Sequence, residues 1–124
     1  MVIGELMEVI LYVDDMERAV SFYRGQLGLA IAYPHLDNYR DEYWVVFDTG
    51  YCKLCLHAGG TDMQGPSAPK VVFHVDDIHA ARATLLARDV VLSDVRTPSI
   101  GIHVCDGVDP TGNRFSIEST SQTQ

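Results

Sequence analysis

Cys52-Lys53-Leu54-Cys55 has the CxxC spacing that serves zinc binding or dithiol redox chemistry, and His57 follows two residues on. The segment also alternates as a strand, with Leu54 and Leu56 on one face and Lys53, Cys55 and His57 on the other. In an extended chain positions 52 and 55 point to opposite sides, which weakens the pair as a chelate. Three cysteines, Cys52, Cys55 and Cys105, also leave an odd thiol. Glu8, Lys70, His74, Arg114, Ser116 and Glu118 complete the set of strand-borne side chains that could bind or transfer protons, with His103 on a strand of unfixed facing. No Ser-His-Asp order, phosphate-cradling glycine motif or nucleophilic Cys-His pairing emerges from them. Their meaning depends on the elements that carry them.

Those elements come in two copies. Val13-Asp14-Asp15-Met16 returns as Val75-Asp76-Asp77-Ile78, an offset of 75 − 13 = 62 in 124 residues. Each copy opens with an apolar run, Val9 to Val13 or Val71 to Val75, and continues into helical spacing. In the first copy Met16, Ala19, Val20, Tyr23 and Leu27 form one helical stripe ended by Gly28. Asp14 or Asp15 caps it, and Asp14 with Glu17 has capping-box spacing. The second copy repeats this with Asp76 or Asp77 as the cap, Ile78, Ala81, Leu85 and Leu86 on the stripe, and Asp89 where Gly28 stood. Three strands are expected after each helix: residues 29–33, 43–47 and 53–57, then 90–94, 102–105 and 114–118. The unit is therefore βαβββ, and the fold class is α+β: two such modules forming a cupped mixed sheet with helices on the outside. One module this short cannot bury its own apolar face, whereas a pair can.

Alternation sorts the side chains by face. Val9, Leu11, Val13, Leu54, Leu56, Val71, Phe73, Val75, Phe115 and Ile117 belong under the helices. The opposite face then carries Glu8, Ile10 and Tyr12, Lys53, Cys55 and His57, Lys70, Val72 and His74, and Arg114, Ser116 and Glu118. Two such sheets side by side would curve these polar faces into a shared hollow, the expected binding site. Tyr12, Tyr33, Tyr43, Trp44 and Phe47 are either its aromatic walls or core and interface residues. His35 and the run Asp37 to Glu42 form a polar connection, either overhanging the hollow or simply solvated.

Composition sets the outer limits. A chain 47% hydrophobic and 21% charged is an ordinary globular protein, here one domain over 1–124, with module one near 6–58, a Gly/Pro/Ser-rich linker at 59–69 and module two near 70–119. The net charge of −8 argues against nucleic acid, whose phosphates are held by Lys and Arg, and favours a cationic ligand if it has any role beyond solubility. No apolar stretch approaches the roughly 18 residues of a membrane span, and no leader is evident, so a cytoplasmic location is expected.

With the repeat and its faces in hand, the chain resembles the vicinal oxygen chelate superfamily of glyoxalase I, extradiol dioxygenases, fosfomycin resistance enzymes and bleomycin resistance proteins. The resemblance rests on Val13-Asp14-Asp15-Met16-Glu17-Arg18-Ala19-Val20-Ser21-Phe22-Tyr23, on Leu27-Gly28-Leu29, and on Asp109-Pro110-Thr111-Gly112-Asn113-Arg114-Phe115. It implies paired βαβββ modules forming a cup, in which metal-dependent members hold a divalent ion as a Lewis acid. The implied ligand positions are Glu8, Cys55, Lys70 and Ser116, where such members carry His, Gln or Glu. A charged Lys has no lone pair and Ser is a poor transition-metal ligand, so no metal and no cofactor is expected, with Lys70 paired to Glu8 in the ion's place. A displaced site built from His57, Glu118 and His74 would need ligands moved about 7 Å along their strands.

The expected function is a metal-free protein that sequesters a small molecule, cationic or aromatic, through Glu8, Tyr12, Cys55, His57, Lys70, His74, Arg114, Ser116 and Glu118. The alternative is a divalent-metal-dependent glyoxalase-like lyase, isomerase or dioxygenase, with Glu8 as ligand or general base; whether the chain is an enzyme stays open and no catalytic residue is assigned. An accessory domain has no positive support in the residues. The resemblance also implies a homodimer.

Overall fold

In both copies the Val-Asp-Asp repeat ends a strand and starts a helix. Asp15 and Asp77 are extended and their carboxylates accept backbone N–H groups of the first helical turn, from Arg18 at 3.0 Å and from His79 and Ala80 at 3.1 Å. These bonds satisfy donors that a helix start leaves without partners. The computed structural model describes residues 5–65 and 67–121. The chain divides into two units between Met63 and Gln64, and each is a βαβββ module of the expected α+β class. Among the described residues no helix is long and apolar enough to cross a membrane.

Module one runs β1 (Glu8–Val13), α1 (Met16–Val20), β2 (Ala30–Tyr33), β3 (Trp44–Asp48) and β4 (Lys53–Ala58), with sheet order β1-β4-β3-β2. β1 lies parallel to β4, Glu8 opposite Lys53 and Tyr12 opposite His57, and the other pairs are antiparallel. Leu11, Val13, Leu54 and Leu56 are buried, as the alternation requires, with Met16, Ala19, Val20 and Tyr23 packed from the helix. Burying each large aliphatic side chain is worth roughly 1.5–3 kcal/mol, so this layer holds the sheet against the helix.

The helical segment departs from the simple stripe. After Val20 the chain widens over Ser21–Gln26 into a π-type turn, with the Leu27 amide bonded to the Phe22 carbonyl at 2.9 Å. The extra residue per turn buries Phe22 as well as Tyr23, their rings edge to face, while Leu27 is only half-buried. Gly28 then ends the segment at φ 81°, the conformation expected of it. Glu17, which has capping-box spacing with Asp14, makes a tertiary bond: its Oε2 accepts from the Tyr39 amide at 2.7 Å. Tyr39, fully buried, donates its hydroxyl to the Pro34 carbonyl at 2.7 Å and folds the 34–43 connection onto the helix.

Module two runs β5 (Val71–His74), α2 (Ile78–Ala87), β6 (Arg96–Ser99), β7 (Ile102–Val108) and β8 (Arg114–Thr120), in the equivalent order β5-β8-β7-β6 with β5 parallel to β8. Ile78 and Leu85 are buried under the helix, whereas Leu86 is exposed. Asp89 closes α2 at φ 64°, and the Val90 and Asp89 amides bond back to the Leu85 and Leu86 carbonyls at 3.0 Å. The strand expected at 90–94 does not form. Val90 and Leu92 are buried and the Ser93 amide bonds to the Asp106 carbonyl, but β6 lies further on at Arg96–Ser99. All four residues of β6, Pro98 among them, are exposed, the make-up of an edge strand.

Candidate functional site

The module-one register arranges the face opposite the helix in rows. Glu8 lies beside Lys53; Ile10, Cys55, Val46 and Tyr33 follow in line; Tyr12, His57 and Trp44 make the third row. Tyr12, Trp44 and Tyr43 surround the His57 ring at centroid distances of 5.3, 6.1 and 6.2 Å. His57 Nδ1 lies 2.8 Å from the Ala58 carbonyl, so it carries the proton and leaves Nε2 as the acceptor of the neutral ring. Trp44 Nε1 reaches the Tyr33 hydroxyl at 3.5 Å. Tyr12 and Tyr33 are 41% and 55% exposed, well above what core aromatics show, so their rings are available to a ligand. Phe47 is fully buried against Tyr23 and belongs to the core.

Next to these rows lies a pocket of about 400 Å³ walled by Met7, Ala32, Tyr33, Val46, Tyr51 and Cys55, with Glu8 and Lys53 supplying the charge. Lys53 is held by Asp48, Nζ to Oδ1 2.9 Å, and this ammonium lowers the Asp48 pKa. Burial, and then the charge of Glu8, push the Cys55 thiol up to about 11, so it is a neutral thiol at physiological pH. Burial raises Cys105 similarly. Cys52 is half-buried and both partners of the CxxC spacing are free thiols.

On module two the same face is ionic. The Asp106 carboxylate accepts from Arg96 Nε at 2.8 Å and Nη2 at 3.2 Å and from Ser116 Oγ at 2.6 Å, with Lys70 Nζ at 3.4 Å. These donors, Arg96 foremost, hold the Asp106 carboxyl far below the usual carboxylate range. Lys70 was expected to pair with Glu8; the carboxylate bonded to it is Asp106 of its own module. Arg114 donates to the Ala68 carbonyl at 3.1 Å, Glu118 is half-buried, and exposed His74 sits 3.9 Å from Asp76 at the rim. His103 meets Ser121 at 3.3 Å, and His35 is exposed.

The structure thus gathers Tyr12 with His57, Glu8 with Cys55, and Lys70 with Ser116. Sequence reasoning missed Asp106, Arg96 and Tyr51. Strand β7 extends beyond the expected 102–105 to Val108, and the alternation Val104, Asp106, Val108 is the signal in the residues that it continues. Gly107 serves packing: a Cβ there would meet Phe115 Cζ at 2.8 Å and the Val91 carbonyl at 3.1 Å.

The donor set at the positions that the resemblance implies does not fit a divalent ion. Of its four positions Cys55 is a protonated thiol, Lys70 is an ion-paired ammonium and Ser116 spends its hydroxyl on Asp106, leaving Glu8 as the one anionic donor among them. Among the described residues no three His, Cys, Asp or Glu side chains are grouped to hold a metal.

Residues 5–50 match the bleomycin resistance protein-like N-terminal family. No curated protein matches the sequence. Among solved structures the chain is similar to an antibiotic binding protein, TnmS3, from a Streptomyces species (23% identity, 98% of this chain and 99% of that one, TM-score 0.76). It is likewise similar to a lactoylglutathione lyase from Agrobacterium tumefaciens (22%, 94% and 93%, 0.72) and to a genomically encoded fosfomycin resistance protein from Listeria monocytogenes (14%, 98% and 95%, 0.73). At these identities the likenesses establish the fold. The family match is confined to module one, and the structural likenesses extend over the whole chain at the level of the fold.

Proposed function

We propose that this protein binds and sequesters a small molecule without a metal ion, using the module-one face. The observation that carries the reading is the aromatic set of exposed Tyr12 and Tyr43 and half-buried Trp44 around His57, joined through the Trp44–Tyr33 contact to the pocket beside Glu8. Flat apolar rings beside a few placed polar atoms suit a planar ligand, which they hold by stacking and area burial while His57 Nε2 accepts one hydrogen bond. Similarity in fold to an antibiotic binding protein supports this reading. The donor chemistry at Glu8, Cys55, Lys70 and Ser116 supports independence from metal. The same reading takes the protein as a cytoplasmic homodimer, which light scattering tests as a solution mass twice that of one chain.

The functional test is a thermal-shift screen of small planar compounds with and without added Ni, Zn, Fe and Mn. A ligand at 100 times its Kd stabilises the folded state by about 2.7 kcal/mol, a shift of several degrees. The expected result is the same shift in every metal condition, lost in Trp44→Ala. A turnover that requires added metal and vanishes with EDTA overturns the reading.

A further inference from the structure

We infer that the pocket beside Glu8 takes the positively charged end of its ligand, an ammonium carried on an aromatic body. The inference rests on the reading of this face as a ligand site and adds the chemical class of the ligand.

The argument is one of charge compensation within the pocket. Lys53, the cation of the lining, is already matched by Asp48 at 2.9 Å and also donates to the Gly50 carbonyl. Cys55 contributes a neutral thiol. Glu8 is therefore the uncompensated charge among the lining residues, half-buried and close enough to Cys55 for its field to act on that thiol. A neutral ligand closing over Glu8 would strip water from a carboxylate and return nothing, and an anion would add repulsion. An ammonium replaces the lost hydration with a charge-assisted hydrogen bond. Tyr33 and Tyr51, 55% and 66% exposed on the same walls, present ring faces that attract a cation and bury the attached apolar body. The net charge of −8 steers cations toward the protein in the first place.

The test is calorimetric titration of the full chain with three probes of one shape: tryptamine, neutral tryptophol and anionic indole-3-propionate. Tryptamine is expected to bind at least tenfold more tightly than tryptophol, with indole-3-propionate weakest. Glu8→Gln should erase the tryptamine advantage and leave tryptophol unchanged, while Asp37→Asn, removing an exposed charge elsewhere, should retain it. If Glu8→Gln does not fold, Glu8→Asp is expected to weaken tryptamine alone. Equal binding of tryptamine and tryptophol, or an advantage that survives loss of Glu8, overturns the inference while leaving the small-molecule reading intact. Failure of all three probes overturns the inference as well; the small-molecule reading falls separately, if the broader planar-ligand screen yields no shift.

Discussion

The two modules share strand order, a parallel outer pair and a capping aspartate, yet the faces they turn away from their helices differ in kind. Module one presents Tyr12 and Trp44 against His57, beside a pocket walled in part by Tyr33, whereas module two presents Lys70, Arg96, Asp106 and Ser116 locked onto one another. Residues under the helices are constrained by packing to stay apolar, as Leu54 with Leu56 and Phe115 with Ile117 illustrate. The opposite face carries no such constraint, so one copy can become a ligand surface and the other a rigid ionic plate. The difference teaches that topology survives duplication where side-chain chemistry need not.

The β3–β4 and β7–β8 turns give the sharpest contrast. Asp109, 3% exposed, accepts the amides of Thr111, Gly112 and Asn113 at 2.8–2.9 Å and the Asn113 side-chain amide at 2.9 Å. In module one Asp48 is exposed and takes only the Gly50 amide at 3.3 Å and Lys53. Asp109→Ala should therefore destabilise the protein by about 3 kcal/mol in urea titration, through the loss of a carboxylate that several part-buried N–H groups share. Asp48→Ala should leave the midpoint close to that of the wild type. Equal losses would remove the claimed asymmetry.

Gly107→Ala forces a methyl against Phe115 and the Val91 carbonyl, so it should cost about 2 kcal/mol, read as a lower Tm. In module one the equivalent position is Phe47, which pairs with Leu54 as Gly107 pairs with Phe115, and Phe47→Ala should open a cavity in place of a clash.

The ionic plate also has a pH signature. Because the folded-state pKa of Asp106 is depressed, its contribution is fully present above the ordinary carboxylate value of 3.8 and is lost as pH falls below it. Asp106→Asn should flatten that part of the stability–pH curve; an unchanged acid limb would mean that the network adds nothing to the folded state. The smallest expected effect is a gain. Asp89 holds a left-handed conformation at a helix C-terminus, where both its Cβ and its charge are unfavourable, and Gly28 fills the equivalent place in module one. Asp89→Gly should stabilise by about 0.5–1 kcal/mol, making the second helix end like the first.

The helices, their caps and the buried strands were legible because period and capping chemistry are local properties. Strand β6 was not, since Arg96-Thr-Pro-Ser is exposed throughout and its sole reason to be extended is pairing with β7. The apolar Val90 and Val91 imitated a strand, but Val90 instead completes the helix end and packs inward. Within the site, Tyr12, His57 and Glu8 followed from alternation. Asp106 with Arg96 did not, because their partnership depends on β6 lying beside β7. Nor did Tyr51, which enters the pocket from a turn that has no alternation to read.

In each module the opening and closing strands lie side by side, β1 on β4 and β5 on β8, so among the described residues every ladder is completed within one half of the chain. Backbone scission between Gly59 and Lys70 would consequently interrupt no strand pairing. Each fragment would keep its own hydrogen-bonded ribbon entire, which makes this stretch the natural place to divide the polypeptide into two separately expressed pieces.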